Sequence, residues 1–164
     1  MNKTLTKCRK QNNDVFYTPS KLVLDCLKLI DIKVDDILLD PFFGNGAFFN
    51  EFPRKNIKDW CEIEKGVDFF KYNKKVDWII SNPPFSKLTH VLEHCTKICN
   101  KGFGLIMMTT ALSVKRINDI KEKGFNIIKI HWFSVKSWFG FPCIFVVFSR
   151  EGETLFDIDP IQYK

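Results

Sequence analysis

No stretch of this 164-residue sequence approaches the ~20 uncharged apolar residues of a membrane span, so a soluble protein is expected. The N-terminus, MNKTLTKCRKQNND, carries four cationic residues but no apolar core and small-residue cleavage site behind them. It therefore reads as a flexible basic arm over residues 1–14, not as a secretory signal. Repeats and low-complexity tracts are also missing, which leaves one globular domain, residues 15–164, as the expected organisation. No long basic amphipathic helix is present, so the formal charge of +6 and the pI near 9.0 point to nucleic acid ahead of a membrane surface. Six cysteines (Cys8, Cys26, Cys61, Cys95, Cys99, Cys143) lie mostly inside apolar periodic segments, with no secretory signal beside them. They are expected to be free thiols in a cytoplasmic or other reducing compartment.

What is present alternates between helix and strand. Thr18-Pro19-Ser20 predicts a helix start, with Thr18 as the cap and Pro19 at the first helical position, running to about Ile30. "DDILLD" predicts a short strand ending at Asp40, and "PFFGNGAFFNEF" a glycine turn entering a short helix that Pro53 stops. "DWCEIE" reads as a strand ending in acids, and "VDWIIS" as a fully buried strand. "SKLTHVLEHCTKICNKG" places Leu88, Val91, Leu92, Cys95, Ile98 and Cys99 at helical spacing, with Gly102 as its stop. A buried strand "FGLIMMTTAL", a helix around "VKRINDIKEKG" and a terminal hairpin of "FNIIKIHWF" with "CIFVVFSR" complete the chain. This alternation predicts an α/β fold, a mostly parallel sheet with helices on both faces and a C-terminal antiparallel hairpin.

Ligands of open α/β sheets bind beyond the carboxyl ends of the strands, and those ends carry Asp40, Glu62, Asp68 and Asn82. An acid after the glycine-loop strand can orient an amine, an acid after the next strand can take both hydroxyls of a ribose, and Gly44 and Gly46 admit a close backbone approach. The set suits a nucleoside with a charged amino-acid tail, whose carboxylate the helix start at Thr18-Pro19 can receive. A glycine pair after a strand can equally be a plain turn.

The corner Asn82-Pro83-Pro84-Phe85 carries the most specific chemistry. The exocyclic amine of adenine is a poor nucleophile because its lone pair is delocalised into the ring. Two fixed acceptors, the Asn82 side-chain oxygen and the Pro83 carbonyl, can hold that nitrogen toward tetrahedral geometry, and proline fixes the carbonyl's aim. Phe85 can stack on a base taken out of its helix.

These segments resemble S-adenosylmethionine-dependent amino-methyltransferases, especially N6-adenine methyltransferases of DNA and RNA. The resemblance covers about residues 15–150 and implies a Rossmann-like class I methyltransferase fold. "FYTPS" resembles the Thr-Pro cofactor segment, giving Tyr17, Thr18 and Pro19. "LLDPFFGNGAF" resembles the Asp-Pro-x-x-Gly-x-Gly loop, giving Asp40, Pro41, Gly44 and Gly46. "CEIE" resembles the ribose-binding strand end, giving Glu62 with Glu64 as a substitute, and "VDFF" the adenine-reading segment, giving Asp68 and Phe69. "NPPF" resembles the catalytic tetrapeptide, Asn82, Pro83, Pro84 and Phe85, with Asn82 also facing the cofactor.

Two departures stand out. The helix that usually separates the ribose-binding strand from the adenine-reading Asp is expected to be missing, since Glu62 and Asp68 are almost adjacent. No separate target-recognition domain is expected either, so specificity falls to loops or to a homodimeric or other partner subunit. Lys136, Trp138 and Phe139, in "SVKSWFGFP", combine a cation with stacking groups and are candidate substrate contacts, or else pack the hairpin end. His90, His94, Cys95 and Cys99 share one helix whose cysteines face its apolar side, so no metal site is expected. The implied reaction is methylation of adenine N6 in DNA. RNA is the runner-up, followed by a protein glutamine or a non-catalytic methyltransferase-like subunit.

Overall fold

A computed structural model of the chain describes residues 17–138 and 141–153. Six strands, β1 (Ile37–Asp40), β2 (Ile57–Trp60), β3 (Val76–Ser81), β4 (Cys99–Met108), β5 (Asn126–Ser134) and β6 (Pro142–Ser149), form one sheet in the order β2-β1-β3-β4-β6-β5. β1 to β4 are mutually parallel, and β6 lies antiparallel between β4 and β5. All but one residue of β6 is buried, because elements cover both faces of the sheet there.

Alternation along the strands assigns their side chains to the two faces. Leu38, Ile80, Ile106 and Phe145 meet Val23 and Cys26 of α1 (Ser20–Leu27) and Phe48 of α2 (Ala47–Glu51). Leu39, Ile79, Leu105 and Val146 meet Leu88, Val91, Leu92 and Cys95 of α3 (Leu88–Ile98) and Ile120 of α4 (Val114–Glu122). Burial of a large aliphatic or aromatic side chain contributes ~1.5–3 kcal/mol, so these two layers supply the main stabilisation of the domain.

Three local expectations are corrected. Pro19, not Thr18, is the N-cap of α1: its backbone is extended, and its carbonyl receives the Val23 N–H at 3.1 Å. That leaves the Thr18 hydroxyl available for a contact described below. The α-helix ends at Leu27, and i→i+3 turns carry the chain on to Ile30. Gly102 does not stop α3, which passes directly into β4 at Cys99; the glycine sits inside the strand. A Cβ there would fall 2.3 Å from the Phe148 carbonyl oxygen and 2.5 Å from the Trp78 ring, so close packing requires the glycine.

Between β2 and β3 the chain makes two 3₁₀ turns, Ile63–Lys65 and Phe69–Lys71, tied by a bridge between Glu62 and Val67, and no α-helix. No strand is formed there to pair with the outer side of β2, which is an edge of the sheet with Ile57 exposed.

Candidate active site

The carboxyl ends of β1, β2 and β3 open on a cavity of about 510 Å³. Of the residues expected to bind a cofactor, Tyr17, Thr18, Asp40, Pro41, Gly44, Glu62, Asp68, Phe69 and Asn82 line it. Pro19 and Gly46 do not. Glu64, the substitute for Glu62, lines it too, as do Phe42, Phe43, Asn45, Phe70, Ser86 and Lys87, which were not singled out by sequence. Loop aromatics beside a glycine turn carry no periodic signal that separates a cavity wall from ordinary packing.

Asp40 sits at the floor, 1% exposed. It accepts the Ser81 hydroxyl at 2.6 Å, the Phe49 N–H at 3.2 Å and the Phe42 N–H at 3.4 Å. Burial pushes its pKa up to about 6, those three donors hold it lower than burial alone would, and the Glu62 charge raises it further. The carboxylate is therefore charged at neutral pH but uncomfortably so, which suits a partner cation. Ser81, the last residue of β3 just before the corner, orients it.

Glu62 reaches across from the end of β2 and accepts the Gly44 N–H at 2.7 Å and the Glu64 N–H at 3.3 Å. A carboxylate has about four acceptor positions, so two backbone donors leave room for two more. Asp68 caps the second 3₁₀ turn through the Phe70 N–H at 3.0 Å. Phe69 beneath it is buried between Phe42, at 5.3 Å, and His94, at 4.7 Å, both edge-on. His94 Nε2 donates to the Tyr72 carbonyl at 2.8 Å, so α3 supports the short segment that stands where a helix is missing. Lys65 lies over the Phe43 ring at 4.0 Å and near Trp60 at 5.1 Å.

The two loop glycines have different jobs. Gly44, at φ +51°, has only the Phe42 carbonyl oxygen near its missing Cβ, at 4.0 Å, and borders the cavity. Gly46, at φ +82°, would press a Cβ against the Phe43 ring at 2.8 Å and the Asn50 amide at 2.9 Å. It is the left-handed cap of α2, not a point of ligand approach.

At the corner, Asn82 Nδ2 donates to the Thr18 hydroxyl oxygen at 3.3 Å, joining the two motifs that sequence placed furthest apart. With the amide nitrogen committed there, acceptor chemistry falls to Oδ1. Pro84 lines the cavity, Pro83 is buried, and Phe85 is half-buried against the α1–α2 side of the core.

The hairpin loop departs from expectation. Lys136 is exposed, but Trp138 is 3% exposed, packs in the core against Phe133 and donates its indole N–H to the Tyr17 carbonyl at 3.2 Å. A ring so enclosed offers no face to a nucleotide; it holds the Tyr17–Thr18 segment at the cavity wall instead. Phe139 lies outside the described residues. The four candidate ligands do not share one helix: Cys99 opens β4, Cys95 is buried on α3, His94 is bonded to the Tyr72 carbonyl and His90 is exposed.

Solved structures similar in fold include TrmN from Thermus thermophilus, with a TM-score of 0.56 and 15% identity over 84% of this chain. The 23S rRNA methyltransferase ErmE matches with a TM-score of 0.64 and 13% identity over 87% of this chain and 72% of its own. The M protein of the type I restriction enzyme EcoKI matches with a TM-score of 0.66 and 13% identity over 88% of this chain. The fold is that of the Rossmann-like class I methyltransferases. No family model matches the sequence, and no curated protein does. The chain spans 50% of the TrmN chain and 46% of the EcoKI M protein, about half of each. Within this methyltransferase fold the cavity occupies the carboxyl edge of the parallel strands, where open α/β sheets bind ligands. Among the described residues no helix is long and apolar enough to cross a membrane.

Proposed function

We propose that the chain transfers a methyl group from S-adenosylmethionine to the N6 amine of adenine in DNA. The observation that carries this reading is the Asn82–Thr18 hydrogen bond, which ties the Asn82–Phe85 corner to the Thr18 segment at the cavity that Asp40, Glu62 and Asp68 also line.

The residues present fit that cofactor. A volume of about 510 Å³ falls in the ordinary range for a small-molecule site, and the acidic lining suits an amine and a diol. Asp40 would hold the amino end, Glu62 would give its two remaining acceptor positions to the ribose hydroxyls, and Asp68 with Phe69 would bound the adenine. Bound there, the cofactor supplies an electrophilic methyl on a sulfonium.

The chain's own contribution is orientation. Asn82 Oδ1 and the Pro83 carbonyl each accept one N–H of the target amine and turn its lone pair toward the cavity, without acting as a base. Phe85 would meet the base when it is presented out of its stack. The net positive charge supports a polyanionic substrate. RNA is the second reading, favoured by the likeness to ErmE, a 23S rRNA methyltransferase. A partner subunit, of the same chain or another, would supply sequence selection.

The test is incorporation from labelled cofactor into DNA and RNA by wild type and Asn82→Ala, with the product nucleoside identified by mass spectrometry. Wild type should yield N6-methyladenine in DNA, and the variant should lose at least ~10²-fold in rate, the scale of a misplaced reactant. Equal incorporation by the two proteins overturns the assignment, and modification confined to RNA moves it to the second reading.

A further inference from the structure

The carboxyl edge of the sheet is divided by charge. Residues 40–46 and 61–68, after β1 and β2, hold Asp40, Glu62, Glu64 and Asp68 against the single cation Lys65. Residues 82–87, 109–116 and 135–138, after β3, β4 and β5, hold Lys87, Lys115, Arg116 and Lys136 and no carboxylate. Lys115 pairs with Asp119 one helical turn away, and Arg116 is bonded to the Ala111 carbonyl and the Thr89 hydroxyl. Lys87, on the cavity rim, and Lys136, on the hairpin, are exposed.

On that cationic half stands Trp132, 63% exposed near the end of β5. Its position follows from register. Ser81, next to the corner, pairs with Leu105; two residues further along β4, Met107 pairs with Ile144, which pairs with Trp132. Trp132 therefore lies in the row two residues beyond Ser81, three strands away from β3. At ~4.8 Å per interstrand step the separation is roughly 14 Å. That is about four nucleotides at the ~3.4 Å rise of a stacked strand, and fewer for an extended one.

We propose that Trp132 is a stacking platform for an unpaired nucleotide on the DNA strand that carries the target adenine, with Lys136 and Lys87 meeting its phosphates. This rests on the reading that the corner acts on DNA. An exposed indole gives any base a π-face without selecting its identity, and the exposed cations Lys87 and Lys136 on this half of the edge are complementary to a phosphate backbone. The platform replaces the contact that sequence assigned to the enclosed Trp138.

The experiment measures binding of a fluorescein-labelled single-stranded deoxyoligonucleotide to wild type, Trp132→Ala and Trp132→Phe, beside an RNA oligonucleotide of the same sequence, with methylation kinetics in parallel. Trp132→Ala should weaken DNA binding about 5- to 100-fold, while Trp132→Phe keeps most of the affinity. Where methylation is seen, KM for DNA should rise with kcat little changed. Wild-type affinity in Trp132→Ala, or no DNA binding by wild type, overturns the proposal. An RNA preference that the same substitution abolishes overturns DNA as the occupant. The two readings separate cleanly: DNA held through Trp132 but never methylated sinks the proposed reaction alone, and methylation with an unchanged KM in Trp132→Ala sinks the platform alone.

Discussion

Replacing Asp40 by asparagine should remove one contribution to the pH dependence of the folding free energy. The carboxyl group has an ordinary pKa of 3.8 and is held at about 6 in the folded chain, chiefly by burial. In the unfolded chain it loses its proton first as pH rises, so the folded state binds more protons between those values. Stability attributable to this group therefore falls as pH climbs from about 3.8 to about 6, and is level on either side. The difference of roughly 2 pH units, at 1.36 kcal/mol each, makes ~3 kcal/mol. Asn cannot satisfy every donor around Asp40: with Oδ1 toward the Ser81 hydroxyl, its NH₂ faces the Phe49 N–H, at a cost of ~1–3 kcal/mol. That cost does not vary with pH, so it cancels in the comparison that matters. Urea unfolding of wild type and Asp40→Asn, in the absence of ligand, should show the variant gaining ~3 kcal/mol relative to wild type between about pH 3.5 and about pH 7. In thermal unfolding this is ~6–12 °C of relative shift for a chain of this size. If the two stability curves run parallel across that window, Asp40 is not a strained buried carboxylate. A companion calorimetric titration should find cofactor affinity lost in the variant, because the amino end then meets no charge.

The two loop glycines should separate by phenotype. Gly46→Ala, with the Phe43 ring 2.8 Å from the new Cβ, should lower stability by ~1–3 kcal/mol or more, whereas Gly44→Ala should cost only the ~1 kcal/mol of a left-handed alanine yet weaken cofactor binding by filling the cavity rim. Weakened binding in Gly46→Ala at an unchanged melting temperature would refute the division. The buried thiols should be inert: burial pushes Cys26, Cys61 and Cys99 up to about 12 and Cys95 well above its ordinary value. In a Cys8→Ser background, a thiol reagent should label these positions only as urea unfolds the domain, and native labelling at the rate of a free thiol would contradict the packing.

Sequence carried the architecture because every strand except β2 and β5 is apolar enough to read as buried, and because turn residues stand at the helix entries. It carried the cavity for a different reason. Asp40, Glu62 and Asn82 stand at or just after strand ends, and parallel topology brings successive strand ends to one edge; Asp68 reaches the same edge from the 3₁₀ turns that follow β2. What was illegible depended on partners remote in the chain. Gly102 looks like a helix stop until the Trp78 ring and the Phe148 carbonyl are known to crowd it. Gly44 and Gly46 differ only through where Phe43 points.

The tryptophans of the hairpin show the same limit most sharply. β5 slips register between Ile127 and Lys129, so alternation counted from the start of the strand assigns its later residues to the wrong face. Trp138 lies in a 3₁₀ turn, where no period of two applies, and its indole N–H is claimed by the Tyr17 carbonyl more than a hundred residues earlier. The indole hydrogen bond of Trp138 also holds the segment bearing Thr18, and through Thr18 the amide of Asn82. Hairpin packing and corner geometry are consequently one connected structure, and loosening the first should disturb the second.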